Sequence, residues 1–142
     1  METTIQSPTF NNAFFIDDNQ YTNEYHKAIA KELNLAESLL FYTNPNEALK
    51  QLKNIAQAHM FPELLVVDIS MPQMDGHEFV EEVKQLPYYD KNRTCITYVT
   101  TSRDFQDALV ADKLGVELLY WKPLDESLMQ QISVEANETI KS

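Results

Sequence analysis

Four short apolar runs in this chain each end in side chains able to do chemistry. Asp17 and Asp18 follow Ala13 to Ile16, and Asp68 follows Leu64 to Val67. Thr100, Thr101 and Ser102 close the run that begins at Thr94, and Lys122 follows Val116 to Trp121. Singly these say little, because adjacent aspartates commonly cap helices and Thr-Thr or Lys-Pro pairs are frequent. If the four runs are parallel strands, their carboxyl ends share one edge, and three carboxylates, hydroxyls and an ammonium converge there. Three crowded carboxylates cannot all stay ionised without a counter-charge, since one pKa is driven upward. A hard divalent cation with oxygen ligands relieves this, and Mg²⁺ suits a site that keeps several waters. With metal and Lys122 beside it, Asp68 can act as a nucleophile toward a phosphoryl group and form an aspartyl phosphate. Charge growing on the phosphoryl oxygens would be met by the metal, Lys122, the Thr100 hydroxyl and loop amides.

The elements that must position these groups can be read from periodicity. Residues 1–12 are polar and read as a flexible tail, followed by a strand over Ala13–Ile16. Tyr21, Tyr25, Ala28, Ile29 and Leu33 recur at helical spacing and predict one apolar helix face over about residues 21–33. Ser38 to Tyr42 reads as a second strand. Asn44, Pro45 and Glu47 form a helix start, with a capping side chain, a proline at the first helical position and an acid at the third. The helix they open would bury Ala48, Leu49, Leu52, Ile55 and Ala56, with His59 extending the same face as a structural residue. Leu64 to Val67 is a run suited to a strand buried on both faces. Phe79, Val80 and Val83 mark a third helix ended by Pro87. Thr94 to Thr100 is rich in β-branched and aromatic residues and reads as a strand. Phe105, Ala108, Leu109 and Leu114 predict a fourth helix stopped at Gly115, and Val116 to Trp121 a fifth strand. Leu128, Met129, Ile132, Ala136 and Ile140 share one face of a last helix.

Five strands alternating with five helices specify an α/β domain: a parallel sheet covered by helices on both faces. The 142 residues suit a single domain. The net charge of −11, from 22 acidic and 11 basic side chains without a Lys/Arg run, argues against unaided binding to nucleic acid or an anionic membrane. No apolar run reaches the roughly 20 residues that span a bilayer, and the amino terminus lacks a signal pattern. The single Cys95 makes no internal disulfide and reads as a small core residue. A cytoplasmic setting is the expectation.

Taken together, Ile16-Asp17-Asp18, Val67-Asp68-Ile69-Ser70-Met71-Pro72 with Gly76, Val99-Thr100-Thr101-Ser102 and Trp121-Lys122-Pro123 resemble the receiver domain of bacterial response regulators in two-component systems. The likeness spans roughly residues 12–140, with 32 residues from Asp68 to Thr100 and 22 from Thr100 to Lys122. It implies a flavodoxin-like, doubly wound sheet in the order 2-1-3-4-5, built as one receiver domain over residues 13–142. It implies that Asp68 accepts a phosphoryl group from a histidine kinase or histidine phosphotransfer protein. Asp18 and Asp68 would hold Mg²⁺ directly, Asp17 mainly through water and Ser70 through its backbone carbonyl. Thr100 would close onto the phosphoryl group, Lys122 would pair with it, and the Lys122–Pro123 bond would be cis.

The implied protein is a phosphoacceptor rather than an enzyme, with self-dephosphorylation tuned by Ser70 and Ser102. It would be a stand-alone module that signals to a protein target through the face of helix 4, strand 5 and helix 5. Arg103, Asp104, Tyr120 and Trp121 lie on or near the elements of that face. Two alternatives stand beside it: a receiver excised from a longer regulator, and a phosphatase of the haloacid-dehalogenase type. The phosphatase needs a second Asp two residues after the nucleophile, where this chain has Ser70. One departure from the family pattern concerns the aromatic residue usual three positions before the lysine. Leu119 stands there, and strand alternation points the neighbouring Tyr120 to the opposite face of the sheet.

Overall fold

The computed structural model describes residues 7–101 and 104–141. Residues 1–6 of the expected tail lie outside the described residues, as do Ser102 and Arg103. Five strands, β1 (Phe10–Ile16), β2 (Ala36–Tyr42), β3 (Leu64–Asp68), β4 (Cys95–Thr100) and β5 (Leu118–Trp121), pair in parallel in the order β2-β1-β3-β4-β5. Between and after them run α1 (Gln20–Glu32), α2 (Pro45–Lys53), α3 (Gly76–Lys84), α4 (Phe105–Leu114) and α5 (Glu126–Lys141), and a short 3₁₀ turn at Ala58–Met60. This is the doubly wound order expected from the sequence.

Strand pleating divides the core in two. Phe14, Ile16, Leu65, Val67, Ile96 and Tyr98 face α2 and α3, where Leu49, Leu52, Phe79 and Val83 cover them. Ala13, Phe15, Leu64, Val66, Val99 and Tyr120 face the other way, against Ala30 of α1 and Met129, Ile132 and Ala136 of α5. Every residue of β3 and β4 is buried, as central parallel strands require. Cys95 is buried in the second layer, and burial pushes its thiol up to about 11, so it is an inert core residue.

The structure corrects several expected boundaries and faces. β1 begins at Phe10 rather than Ala13, because Phe10 is buried and its N–H bonds to the Leu35 carbonyl at 3.0 Å. Three of the five residues of the anticipated α1 face point outward, with Tyr21 84% and Tyr25 45% exposed and Ala28 at the surface. The buried face carries Asn23, His26 and Ala30, with Ile29 and Leu33 partly buried beside them. Polar satisfaction set the helix phase: the Asn23 amide donates to the carbonyls of Asp17 at 3.0 Å and Tyr42 at 3.2 Å, which an outward Asn could not reach. α2 stops at Lys53, where the Asn54 N–H closes onto the preceding turn. Ile55 is therefore only partly buried, and Ala56 and His59 are exposed, so His59 extends no buried face.

α4 differs most. Phe105 is 72% and Leu109 45% exposed, Ala108 is exposed, and Ala111 alone is fully buried. With so little apolar surface on the sheet, α4 is held by polar ties to α3. Nε2 of His77 pairs with Asp107 at 3.1 Å, Nδ1 meets the Tyr98 hydroxyl at 2.9 Å, and the Lys84 ammonium donates to the Leu114 carbonyl. A carboxylate only accepts, so in a neutral imidazole Nε2–H donates to Asp107 and Nδ1 accepts from Tyr98. The face closed on α3 is thus Asp107, Ala111 and Leu114, which shares Leu114 alone with the predicted one. Gly115 ends the helix as expected, at φ 78°, where a side chain would be strained.

Asp107→Ala should free α4 without unfolding the domain, because the tie is partly exposed and worth about 1 kcal/mol or less. Amide hydrogen exchange checks this: α4 amides should exchange up to about fivefold faster while the β3 and β4 amides keep their protection.

Candidate functional site

Register brings the polar strand ends level. Ile16 pairs with Val67, so Asp17 and Asp68 leave adjacent strands side by side. Asp68 pairs with Val99, and Thr100 with Trp121, which puts Thr100 and Lys122 one step further out on the same edge. Asp17, Asp68 and Thr100 are 4%, 3% and 1% exposed, whereas Asp18 is open to solvent. One ligand oxygen from each of Asp17, Asp18 and Asp68 lies within 4.8 Å of the others.

The Lys122 ammonium enters this group, 2.8 Å from Asp17 Oδ2 and 3.3 Å from Asp68 Oδ2. Each carboxylate has a second fixed donor. The Asn19 N–H reaches Asp17 Oδ1 at 2.9 Å, and the Ser70 N–H reaches Asp68 Oδ1 at 3.3 Å. The Lys122 N–H donates to the Thr100 carbonyl at 2.9 Å, and the Lys122–Pro123 bond is cis. The loop after β3 folds back closely: the Gly76 N–H bonds to Ile69 O at 2.7 Å, and a Cβ there would sit 2.8 Å from Asp68 O. Any side chain at Gly76 would push the loop away from Asp68.

The electrostatics match the crowding. Burial, joined by the neighbouring Asp17 charge, pushes Asp68 up to about 7 against the opposing pull of Lys122 and the Ser70 amide. Burial opposes the charge on Lys122, but its bonds to Asp17 and Asp68 outweigh that and hold it above the ordinary lysine value. One ammonium does not neutralise three carboxylates. Oxygen donors alone, from three acids at one corner of a buried edge, fit a hard divalent cation and would offer a soft metal nothing.

All of Asp17, Asp18, Asp68, Thr100 and Lys122 therefore meet at one edge, with Ser70 on the adjoining loop. Leu119 packs on the α2–α3 side and Tyr120 on the α1–α5 side, as strand alternation predicted. Tyr120 is thus buried rather than presented to a partner, while Trp121 is 38% exposed. The polar stripe on α1 was not read from the sequence. Asn19, which caps the helix, Asn23 and His26 recur at helical spacing directly after Asp17 and Asp18, and that was its available signal.

The family model for the response regulator receiver domain matches residues 13–133, and the chain belongs to that family. Stress response regulator protein 1 of Scheffersomyces stipitis is 28% identical over 124 residues, covering 83% of this chain and 38% of that protein. The sensor histidine kinase CheAY of Helicobacter pylori is 35% identical over 88 residues, covering 62% of this chain and 10% of its own. The chain thus spans well under half of these curated relatives. Among solved structures, a two-component response regulator from Cytophaga hutchinsonii superposes with a TM-score of 0.80 at 23% identity, covering 91% of this chain and 98% of the other. A CheY-like receiver domain protein from Methanospirillum hungatei gives 0.75 at 19% identity, covering 92% and 97%.

The raised Asp68 pKa makes a stability prediction for the metal-free protein. Below pH 4 the carboxyl is protonated in folded and unfolded chains alike. Between pH 4 and about 7 the unfolded chain ionises first, so folding stability falls as pH rises, and the full cost is present above 7. In chelator at pH 8, Asp68→Asn should raise the Tm by about 5 °C or more, and the gap should close below pH 4. Thermal unfolding followed by circular dichroism checks both arms.

Proposed function

We propose that this chain accepts a phosphoryl group on Asp68 from a phosphohistidine of a histidine kinase or histidine phosphotransfer protein. The observation that carries this is the Lys122 ammonium set between Asp17 and Asp68 inside a three-carboxylate cluster. In the transfer, an Asp68 oxygen bonds to phosphorus as the bond from phosphorus to the histidine nitrogen breaks, its electron pair leaving with the imidazole. Lys122 would stabilise charge on the phosphoryl oxygens, and the Thr100 hydroxyl, one step along the same edge, would close onto them. Asp18, Asp68 and the Ser70 carbonyl would hold Mg²⁺, with Asp17 joining through water; both Asp17 oxygens already take protein donors. Bound there, the ion would neutralise the carboxylates and the incoming phosphoryl oxygens.

Hydrolysis of the aspartyl phosphate would return the chain to its starting state, with Ser70 beside the path of water. The haloacid-dehalogenase alternative lacks its general acid, since Ser70 stands where that Asp is needed.

Phosphorylation adds about −1.5 to −2 charge at the edge, and the response we infer is a shift of Thr100, its loop and α4. Exposed Phe105 and Leu109 on α4 and Trp121 on β5 give that face an apolar surface for a protein target. With a net charge of −11, a target bound through clustered phosphates is disfavoured. No described helix is long and apolar enough to cross a membrane, and a cytoplasmic setting is part of the proposal.

Incubation with a small phosphodonor, read by intact mass, tests the proposal. The wild-type chain should gain one phosphoryl group only when Mg²⁺ is present, and Asp68→Asn should gain none. Lys122→Ala should slow the gain by about a hundredfold. Equal uptake by Asp68→Asn would overturn the assignment.

A further inference from the structure

The lysine central to this site sits on a segment anchored at two points. At one, the Lys122 N–H bonds to the Thr100 carbonyl of β4. Pro123 has no N–H, so the next backbone donor is Leu124, a residue with no exposed surface. Its N–H donates to Nε2 of His26 on α1 at 3.3 Å, across 98 residues of sequence. His26 is itself only 2% exposed and packs against the Phe15 ring. An imidazole that accepts at Nε2 must be neutral there, and burial takes His26 down to about 4, so the acceptor persists throughout the neutral range. His26 also lines one small pocket together with Asp17, Asn23 and Asp68.

Asn23, three residues before His26, clamps the Asp17 carbonyl from the same buried face. The two residues give α1 a hold on both partners of the Asp17–Lys122 pair: the backbone of Asp17 and, through Leu124, the segment that bears Lys122. We propose that His26 is a positioning residue for phosphoryl transfer, acting through the Leu124 amide to fix where the Lys122 ammonium lies. This rests on the phosphoacceptor function proposed above. Leucine at position 26 would fill similar space but leave the Leu124 amide without an acceptor. Glutamine can put an acceptor oxygen near the position of Nε2.

The experiment is a double-mutant cycle on the full chain, with the rate of phosphoryl gain from a small donor in Mg²⁺ read by intact mass. Mg²⁺ affinity is measured in parallel. His26→Leu should slow transfer by about tenfold, with Mg²⁺ affinity unchanged within about twofold because the metal-facing carboxylates stay in place. His26→Gln should recover to within about threefold of wild type. In a Lys122→Ala background, His26→Leu should cost nothing further, because the group it positions is gone.

A merely structural His26 would cost the same in both backgrounds, and that result overturns the proposal. So does wild-type speed in His26→Leu, or a His26→Gln variant as slow as His26→Leu. If His26→Leu does not fold, the His26→Gln rate and its cycle with Lys122→Ala decide alone. A Gln variant slowed equally in both backgrounds then overturns the proposal, and one slowed only when Lys122 is present supports it. A wild-type arm that takes up no phosphoryl group overturns the underlying function together with this proposal, and is told apart because it fails before any variant is compared.

Discussion

The Lys122 ammonium lies between two buried carboxylates, 2.8 Å from Asp17 and 3.3 Å from Asp68, and the rest of the edge is arranged around that contact. It is a compromise between opposing terms. Burial disfavours all three charges, while their mutual attraction and the fixed amides of Asn19 and Ser70 favour them. The three acids outnumber the one ammonium, and burial joined by the Asp17 charge displaces Asp68 upward. A site left electrically incomplete in this way favours whatever brings positive charge to it. A divalent ion proposed at this edge would meet that need, and would in turn offset the negative charge of an incoming phosphoryl group.

The sheet supplies the geometry this contact needs. Parallel pairing with Ile16 opposite Val67 and Thr100 opposite Trp121 sets the heights of Asp17, Asp68 and Lys122 without help from any loop. Helices then fix what the strands leave free. Gly76 lets the loop after β3 fold tightly against the Asp68 backbone, and α1 turns its polar residues inward to hold backbone groups at the ends of β1 and β2 and after β5. α4 is different in kind. It is tied by His77, Asp107 and Lys84 with little buried apolar surface, which lowers the cost of moving it. Through His77, whose Nδ1 meets the Tyr98 hydroxyl, the tie to Asp107 reaches the β4 strand on which Thr100 lies.

Much of this was legible in the residues themselves. Buried parallel strands announce themselves as apolar runs, and a charge or hydroxyl at the end of each is visible by position, so Asp17, Asp18, Asp68, Thr100 and Lys122 could be grouped before any coordinates. Their crowding pointed to a divalent ion and to Asp68 as nucleophile, and the family likeness added the histidine donor and the individual metal ligands. Helix faces were less legible where polar satisfaction decided the phase. The Tyr21 and Tyr25 stripe looks like a core face by periodicity, yet the Asn23 amide, bonded to the carbonyls of Asp17 and Tyr42, lies inside. The outward Phe105 and Leu109 mislead in the same way, because the tie between His77 and Asp107 sets the rotation of α4. Phe10 was lost within a polar tail because one buried aromatic among polar neighbours makes no pattern. Long-range bonds such as Leu124 to His26 leave no local trace at all.

The most direct measurement is a crystal structure of the chain with Mg²⁺ and beryllium fluoride, which mimics an aspartyl phosphate. The account predicts a fluoride adduct on an Asp68 oxygen, Mg²⁺ held by Asp18, Asp68 and the Ser70 carbonyl, and Lys122 and Thr100 both turned onto the fluorines. An adduct on another carboxylate, or saturating reagent with an empty Asp68, would contradict it.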